Sequence, residues 1–418
     1  MRKAVNIIFV ILVGAFLCGA LAFQVADKVV PSFEAPKSSE LEGREYVQFS
    51  DVLGKSIRRG VFQDQFEQYA ADSMPARETL VALSAALQRQ GIVTANVPFG
   101  YGVYPTFFAS EYCAVPEDGI ITCLPMKKPE DDSAAIERID AWTRTLSNAA
   151  ANHPETRFVV NVALQIRHDD SNPAYDYVTS FDKIDANWVR EVWTKNLSEG
   201  IDFILDDVAD AEEVRDGWFA TDHHWKLEQA LETYNDIAQR LGLRHVAWGD
   251  APVVEVVPSW QGSLARRGLI SDYADSIVDQ TDDFSQLTYK AYKGKKAGKV
   301  IKDGKREAIL AGTRDASDVN PNDAYSEYYG DKQALIENAG QNNGKTCLLV
   351  GDSLSYILRR YIAANYKTTI CVHPGNSKVD RTLESFIDEY GVDDVIVLTH
   401  ARSSDFIAEK SPKFLYGE

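Results

Sequence analysis

Two short motifs hold side chains able to make a hydroxyl reactive. Gly351-Asp352-Ser353 directly follows the apolar run Cys347-Leu348-Leu349-Val350 and directly precedes a helical pattern that starts near Tyr356. A serine on a strand-to-helix turn at the carboxyl edge of a parallel sheet stands where open α/β sheets receive ligands. The amides that open the next helix point the same way and can hold the oxyanion of a tetrahedral intermediate. The second motif, Thr221-Asp222-His223-His224-Trp225, lies immediately ahead of an amphipathic helical pattern. A serine hydroxyl is a poor nucleophile at neutral pH. It needs a neutral imidazole to take its proton and a carboxylate to fix that ring's tautomer. Side chains two apart in an extended segment project to one side, so Asp222 can address one nitrogen of His224 while the other faces Ser353, with His223 directed elsewhere. The chemistry this predicts is acyl transfer through an acyl-serine, with Ser353 as nucleophile, His224 as base and Asp222 as orienting carboxylate, and with no cofactor or metal. Two other readings of these residues stay open. Asp222 can serve as the N-terminal cap of the following helix. Asp-His-His also suggests a metal site of the DHH phosphoesterase kind, although the further Asp-rich motifs such a site requires are missing and no other His or Cys grouping stands at ligand spacing.

The elements that must position these motifs are legible as alternating helix and strand. Ile136, Ile139, Trp142 and Leu146 share one helical face, and the apolar run from Phe158 to Ile166 suits a strand buried on both faces. A second helix carries Trp188, Val192 and Leu197. Another runs from about Trp225 to Leu241, with Leu227, Leu231, Tyr234, Ile237 and Leu241 as its stripe and Gly242 as its stop. Towards the C-terminus, Thr346–Val350, Thr369–His373 and Val395–Thr399 are short β-rich runs separated by helical patterns, one of them striped by Leu383, Phe386, Ile387 and Tyr390. This rhythm predicts an α/β fold with a parallel sheet flanked by helices. The polar, turn-rich stretch 272–344 fits the rhythm poorly and reads as an insertion or an antiparallel extension. The stretch from Phe62 to Gln88 reads as two helices broken around Pro75, with Phe66, Tyr69, Leu80, Leu83 and Leu87 as packing positions.

Composition narrows the class. The 418 residues carry 62 acidic against 44 basic side chains, a formal net charge of −18, and such a field repels nucleic acid and anionic lipid. The basic run Lys290, Lys293, Lys295, Lys296, Lys299, Lys302, Lys305 and Arg306 is diluted by glycine and reads as a solvated loop or hairpin. Arg2 and Lys3 precede an uncharged apolar run from Ala4 to Phe23, long enough to cross a bilayer at ~20 residues. Residues 1–23 are therefore expected to be a signal anchor or a cleaved signal peptide that places the body outside the cytoplasm. Residues 24–43, rich in Pro, Ser and Glu, read as a stalk, and 44–418 as the folded domain. Cys113 and Cys123 flank a short turn-rich loop and suit a disulfide in an oxidising compartment. Cys347 and Cys371 fall within strand-like runs and read as core residues.

Taken in order, Phe62, Phe66, Tyr69, Asp72, Pro75 and Arg77, then Asp222-His223-His224-Trp225, then Gly351-Asp352-Ser353 resemble the blocks of the DHHW family, relatives of the alginate O-acetylation proteins and of the SGNH hydrolases. The resemblance spans most of the chain after the N-terminal segment and matches loosely over 272–344. It implies an SGNH hydrolase-like fold and gives Asp222, His224 and Ser353 the triad roles. It further implies an acetyl-Ser353 intermediate resolved by a hydroxyl of an exported polysaccharide, and a membrane-bound O-acyltransferase as the partner that brings acyl groups across the membrane. The Asn of the SGNH oxyanion block has no secure match; Asn376 is a candidate. Tyr101, Tyr104, Trp260, Tyr325, Tyr328 and Tyr329 are candidates for stacking on sugar rings. A carbohydrate esterase and a non-catalytic polysaccharide assembly or binding protein are the rival readings.

Overall fold

A computed structural model describes residues 38–39, 44–52, 61–74, 76–84, 87, 102–105, 111–115, 122–125, 133–164, 186–207, 211–268, 270, 273–292, 300–305, 324–330, 333–375, 379–400 and 411–416. The segment 1–23, and the stalk 24–43 apart from Ser38–Ser39, lie outside them. No helix among the described residues is long and apolar enough to cross a membrane.

Strands β1 (Ser38–Ser39) and β2 (Arg44–Glu45) pair antiparallel, and β3 (Gly102–Pro105), β4 (Glu111–Val115) and β5 (Thr122–Pro125) form a three-stranded antiparallel sheet. The β4/β5 register sets Cys113 directly opposite Cys123. Their side chains lie outside the description. The chain then supplies β6 (Arg157–Leu164), β7 (Ile201–Asp207), β8 (Val253–Trp260), β9 (Asp275–Gln280), β10 (Leu287–Tyr292), β11 (Val300–Lys305), β12 (Gln333–Asn338), β13 (Thr346–Gly351), β14 (Thr368–Val372) and β15 (Asp394–His400). The central eight-stranded sheet runs β11-β10-β12-β14-β13-β15-β6-β7. From β14 to β7 the neighbours are parallel, whereas β12, β10 and β11 extend the β14 edge antiparallel.

The parallel strands are buried on both faces because helices cover both sides, as near-continuous apolar runs require. Alternate residues divide between two cores. Cys347 and Leu349 of β13 face the helix Leu227–Leu241, whose Leu227, Leu231, Tyr234, Ile237 and Leu241 are buried. Leu348 and Val350 face the other core, built with the helices Ser133–Asn152, Ala186–Thr194 and Leu383–Tyr390. Gly242 ends its helix in the left-handed conformation, with φ 62°, which glycine adopts without steric cost. Cys347 and Cys371 are buried free thiols, and burial pushes the Cys371 thiol up to about 11.

The described strands β10, β11 and β12 of the stretch 272–344 extend the central sheet antiparallel. Leu287, Tyr289, Ala334 and Ile336 enter the main core, and β9 pairs with β8 beside it. The basic run starts in the β10–β11 hairpin, with Lys290 opposite Asp303. At the other end of the chain one expectation is corrected. The helix Val61–Asp72 forms, but Phe66, Leu80, Leu83 and Leu87 stay 40–66% exposed, because this region does not lay its apolar stripe on the central sheet. Phe66 instead meets Phe62 and Tyr69, which lie on its own helix.

Candidate active site

The loop before the helix Leu227–Leu241 is pinched at its base. Trp218 and Trp225 form an isolated antiparallel bridge, the Phe219 amide donates to the His224 carbonyl over 3.1 Å, and the Lys226 amide donates to the Gly217 carbonyl over 2.7 Å. Residues 220–223 form the tip of this loop. The Thr221 and Ala220 amides and the Thr221 hydroxyl all donate to the carboxylate of Asp275 on β9. Asp222 is 2% exposed. Its carboxylate accepts from the His224 amide, from His224 Nδ1 and from the amide of Ser263 in the first turn of the helix Ser263–Arg267. Gly262 makes that approach feasible. A Cβ there would lie 2.3 Å from Asp222 Cβ and 2.4 Å from the Thr221 carbonyl oxygen.

Burial alone would push the Asp222 carboxyl up. The charges of His224 and His223, the His224 ring bond and the Ser263 amide outweigh it and hold the group well below the usual carboxylate range. Asp222 thus faces the ring of His224 as an anion. The alternative of capping the helix Leu227–Leu241 is excluded, since the cap position is Lys226 and no side chain caps it. Asp222 accepts from a different helix start.

Ser353 opens a short 3-10 turn at the end of β13, next to the parallel neighbours β14 and β15. Asp352 builds this turn. Its Oδ1 accepts from the Leu354 amide at 2.9 Å, and its Oδ2 accepts from the His400 amide at 2.7 Å and the Thr399 hydroxyl at 3.1 Å. Gly351 is needed for the same close packing, because a Cβ there would lie 2.6 Å from the Leu398 carbonyl oxygen. The Ser353 amide donates to no group among the described residues.

These two loops bring the sequence-predicted residues together. His224 Nε2 lies 2.7 Å from Ser353 Oγ while His224 Nδ1 bonds Asp222. A third link ties the loops, from Trp225 Nε1 to the Leu354 carbonyl at 3.1 Å. His223 does not turn away as expected. Its Nδ1 meets Ser263 Oγ at 2.8 Å, and its ring centre lies 4.0 Å from that of His224. Asp222, His223 and His224 offer donor atoms within 4.8 Å of one another. Both His224 nitrogens are already engaged by Asp222 and Ser353, so a metal ion there would compete with those contacts.

The three residues border a cavity of about 260 Å³ that is also lined by Trp260, Ser263, Arg266, Tyr325, Ser326, Tyr356 and His373. The sugar-stacking expectation needs correction. Trp260, Tyr325 and Tyr329 are 2–3% exposed, because Trp260 packs on Phe219, Tyr329 on Tyr325, and Tyr325 on His224. Tyr328 donates to Asp279. Asn376, Tyr101 and the Tyr104 side chain lie outside the description. Sequence reasoning missed Gly262, Ser263, Asp275 and the part played by Tyr325. Each contributes through a long-range contact, and no local pattern marks it.

The sheet order, with a serine turn at the carboxyl end of β13 and helices on both faces, defines an SGNH hydrolase-like α/β fold. Bacillus cereus PatB1 shares it, at TM-score 0.53 and 18% identity over 68% of this chain and 94% of that one. PatB1 is also known with a sulfonyl adduct. A DHHW family protein from Eubacterium siraeum shares it at TM-score 0.53 and 13% identity, over 71% of this chain and 92% of that one. The O-acetyltransferase domain of Pseudomonas putida AlgJ aligns more loosely, at TM-score 0.34 and 11% identity over 73% of this chain and 92% of that one. No protein-family model matches the chain, and no curated protein matches it.

Proposed function

We propose that the chain is an extracytoplasmic serine O-acetyltransferase that moves acetyl groups to hydroxyls of an exported or cell-surface polysaccharide. One observation carries the reading: Ser353 Oγ stands 2.7 Å from an imidazole nitrogen whose ring is bonded on its other side to a buried, ionised Asp222. That arrangement has the order and reach of a nucleophile, base and orienting acid.

In the first half-reaction His224 Nε2 takes the Ser353 proton as Oγ attacks the carbonyl carbon of an acyl donor. The oxyanion that forms is held by the Ser353 amide, which donates to no other group among the described residues. Collapse expels the donor's alkoxide or thiolate, which takes the proton from His224, and leaves acetyl on Ser353. In the second half a sugar hydroxyl gives its proton to His224, attacks the acetyl carbonyl and releases Ser353, which regains the proton. Atoms and charge balance with no cofactor.

The acyl supply is assigned to a membrane-bound O-acyltransferase, and residues 1–23 to the segment that carries the body across the membrane and tethers it. Cys113 and Cys123, opposite one another in the β4/β5 register, are assigned to a disulfide formed after export. The experiment is intact-mass analysis after incubation with an activated acetyl ester. Wild type gains one acetyl on Ser353, and Ser353→Ala gains none while keeping its fold. Transfer of that acetyl to an oligosaccharide supports the transferase, whereas release as free acetate alone assigns an esterase. Absence of both an acyl-enzyme and sulfonyl fluoride labelling of Ser353 removes the covalent mechanism.

A further inference from the structure

Both nitrogens and both faces of the His224 ring are occupied. The Tyr325 ring lies 3.8 Å from it, centre to centre, and only 13° from parallel. The His223 ring lies at 4.0 Å, tilted by 37°. Both separations are shorter than the ~4.5–7 Å usual for aromatic pairs, so each ring must sit over a face. Two rings cannot share one face at such distances, and the imidazole therefore lies between them.

We infer that Tyr325 is a fourth member of the Asp222–His224–Ser353 assembly, a positioning residue whose aromatic face fixes the plane of His224 and stabilises the ring when it carries a proton. The face of a phenol ring is the negative lobe of its quadrupole, and a cation over it is attracted, more so where water is excluded. Tyr325 is 2% exposed. Burial, with the charges of Asp222 and Asp352, keeps its phenol well above the ordinary tyrosine range, so the ring stays neutral. It cannot swing away. Phe219 meets it at 6.3 Å edge to face, and Tyr329 meets it at 5.0 Å. The helix Ala324–Tyr329 is held in turn by Tyr328 on Asp279, the buried partner of Arg360, and by Arg359 on the Gly330 carbonyl.

The other charged and titratable groups around His224 act in different directions. Asp222, on its own segment, and Asp352, from the serine turn, favour an imidazolium. Arg266, from the helix Ser263–Arg267, opposes it, as do His223 and His373 when protonated, while Tyr356 lines the same cavity as a neutral phenol. Tyr325 adds stabilisation from a group that brings no charge of its own. It acts when His224 is charged, during the proton transfers assigned above, and only this rate effect rests on the proposed function.

The test replaces Tyr325 by Phe and then by a series of progressively fluorinated phenylalanines, which keep the ring's shape and drain its face of negative potential. The His224 pKa is read by NMR titration of 15N-histidine-labelled protein. Phe should hold the value within a few tenths of a unit, and full fluorination should lower it by roughly half to one unit. In the same series kcat for a model acetyl ester should fall stepwise at constant KM. A His224 pKa flat across folded members of the series overturns the inference. A graded pKa in a protein that never forms an acyl-serine keeps the inference and removes the enzymatic reading instead.

Discussion

Trp225 Nε1 donates to the Leu354 carbonyl over 3.1 Å, so the residue after His224 is bonded to the residue after Ser353. Two loops 129 positions apart in the chain are joined one step from the contact of His224 Nε2 with Ser353 Oγ at 2.7 Å. The buried Trp225 ring also packs on Trp218 at 5.7 Å. Its value lies in both its area and its N–H.

Trp225→Phe keeps most of the apolar ring and removes the donor, leaving the Leu354 carbonyl without it. Thermal or urea unfolding should show a loss of about 1–3 kcal/mol. Ester turnover should fall by roughly tenfold or more, since small misplacements of a nucleophile and base are costly. An unchanged rate would place the bond among packing contacts alone.

Asp222→Asn replaces the anion on His224 Nδ1 by an amide. Ester turnover should fall by about 10³–10⁴-fold, the range for a triad whose imidazole loses its orienting carboxylate. The pH dependence of stability should change as well. The folded pKa of Asp222 lies below its unfolded value, so its contribution is complete above the ordinary carboxylate range and is lost as pH falls towards the depressed value. Urea midpoints measured from pH 6 downwards should therefore fall less steeply in the variant than in wild type.

Asp206, at the end of β7, works in the opposite direction. Burial raises its carboxyl to about 6, with Asp236 and Glu232 adding to the rise and bonds from Asn161 and Thr233 limiting it. A carboxyl whose folded pKa is raised stabilises the fold below the unfolded value and loses that contribution as pH climbs through about 6. Asp206→Asn should remove this slope and leave the protein more stable at pH 7 by about 3 kcal/mol. Melting temperatures across pH 4 to 7 test it, and parallel wild-type and variant curves would refute the assignment.

Gly262→Ala puts a methyl group 2.3 Å from Asp222 Cβ and against the Thr221 backbone. Backbone cannot yield as a flexible side chain does, so the loop must move and the Ser263 amide must leave Asp222. Expected are a loss of about 1–3 kcal/mol and a fall in kcat larger than that in Gly200→Ala, where a Cβ meets nothing within 4 Å. Equal behaviour of the two variants would show that the loop adapts without disturbing the site.

The strands β6, β13, β14 and β15 and the helix Leu227–Leu241 could be read from the chain, because burial on two faces or on one stripe imposes a local period and Gly242 marks a local stop. Asp222, His224 and Ser353 could be picked out for a similar reason: their types and immediate neighbours restrict what they can do. The exposure of Phe66, Leu80, Leu83 and Leu87 was not legible, since an apolar stripe records a preference for burial and does not name the surface that provides it. Gly262, Asp275 and Tyr325 were equally silent. Gly262 and Asp275 are ordinary loop and strand residues until folding sets them against Thr221 and Asp222. Tyr325 looked like a sugar platform until its ring was found on the face of His224. Sequence determined which side chains were capable of the chemistry, through periods and neighbours a few residues apart. Only the tertiary structure decided their partners, because contacts between segments tens to more than a hundred residues apart depend on how the layers pack.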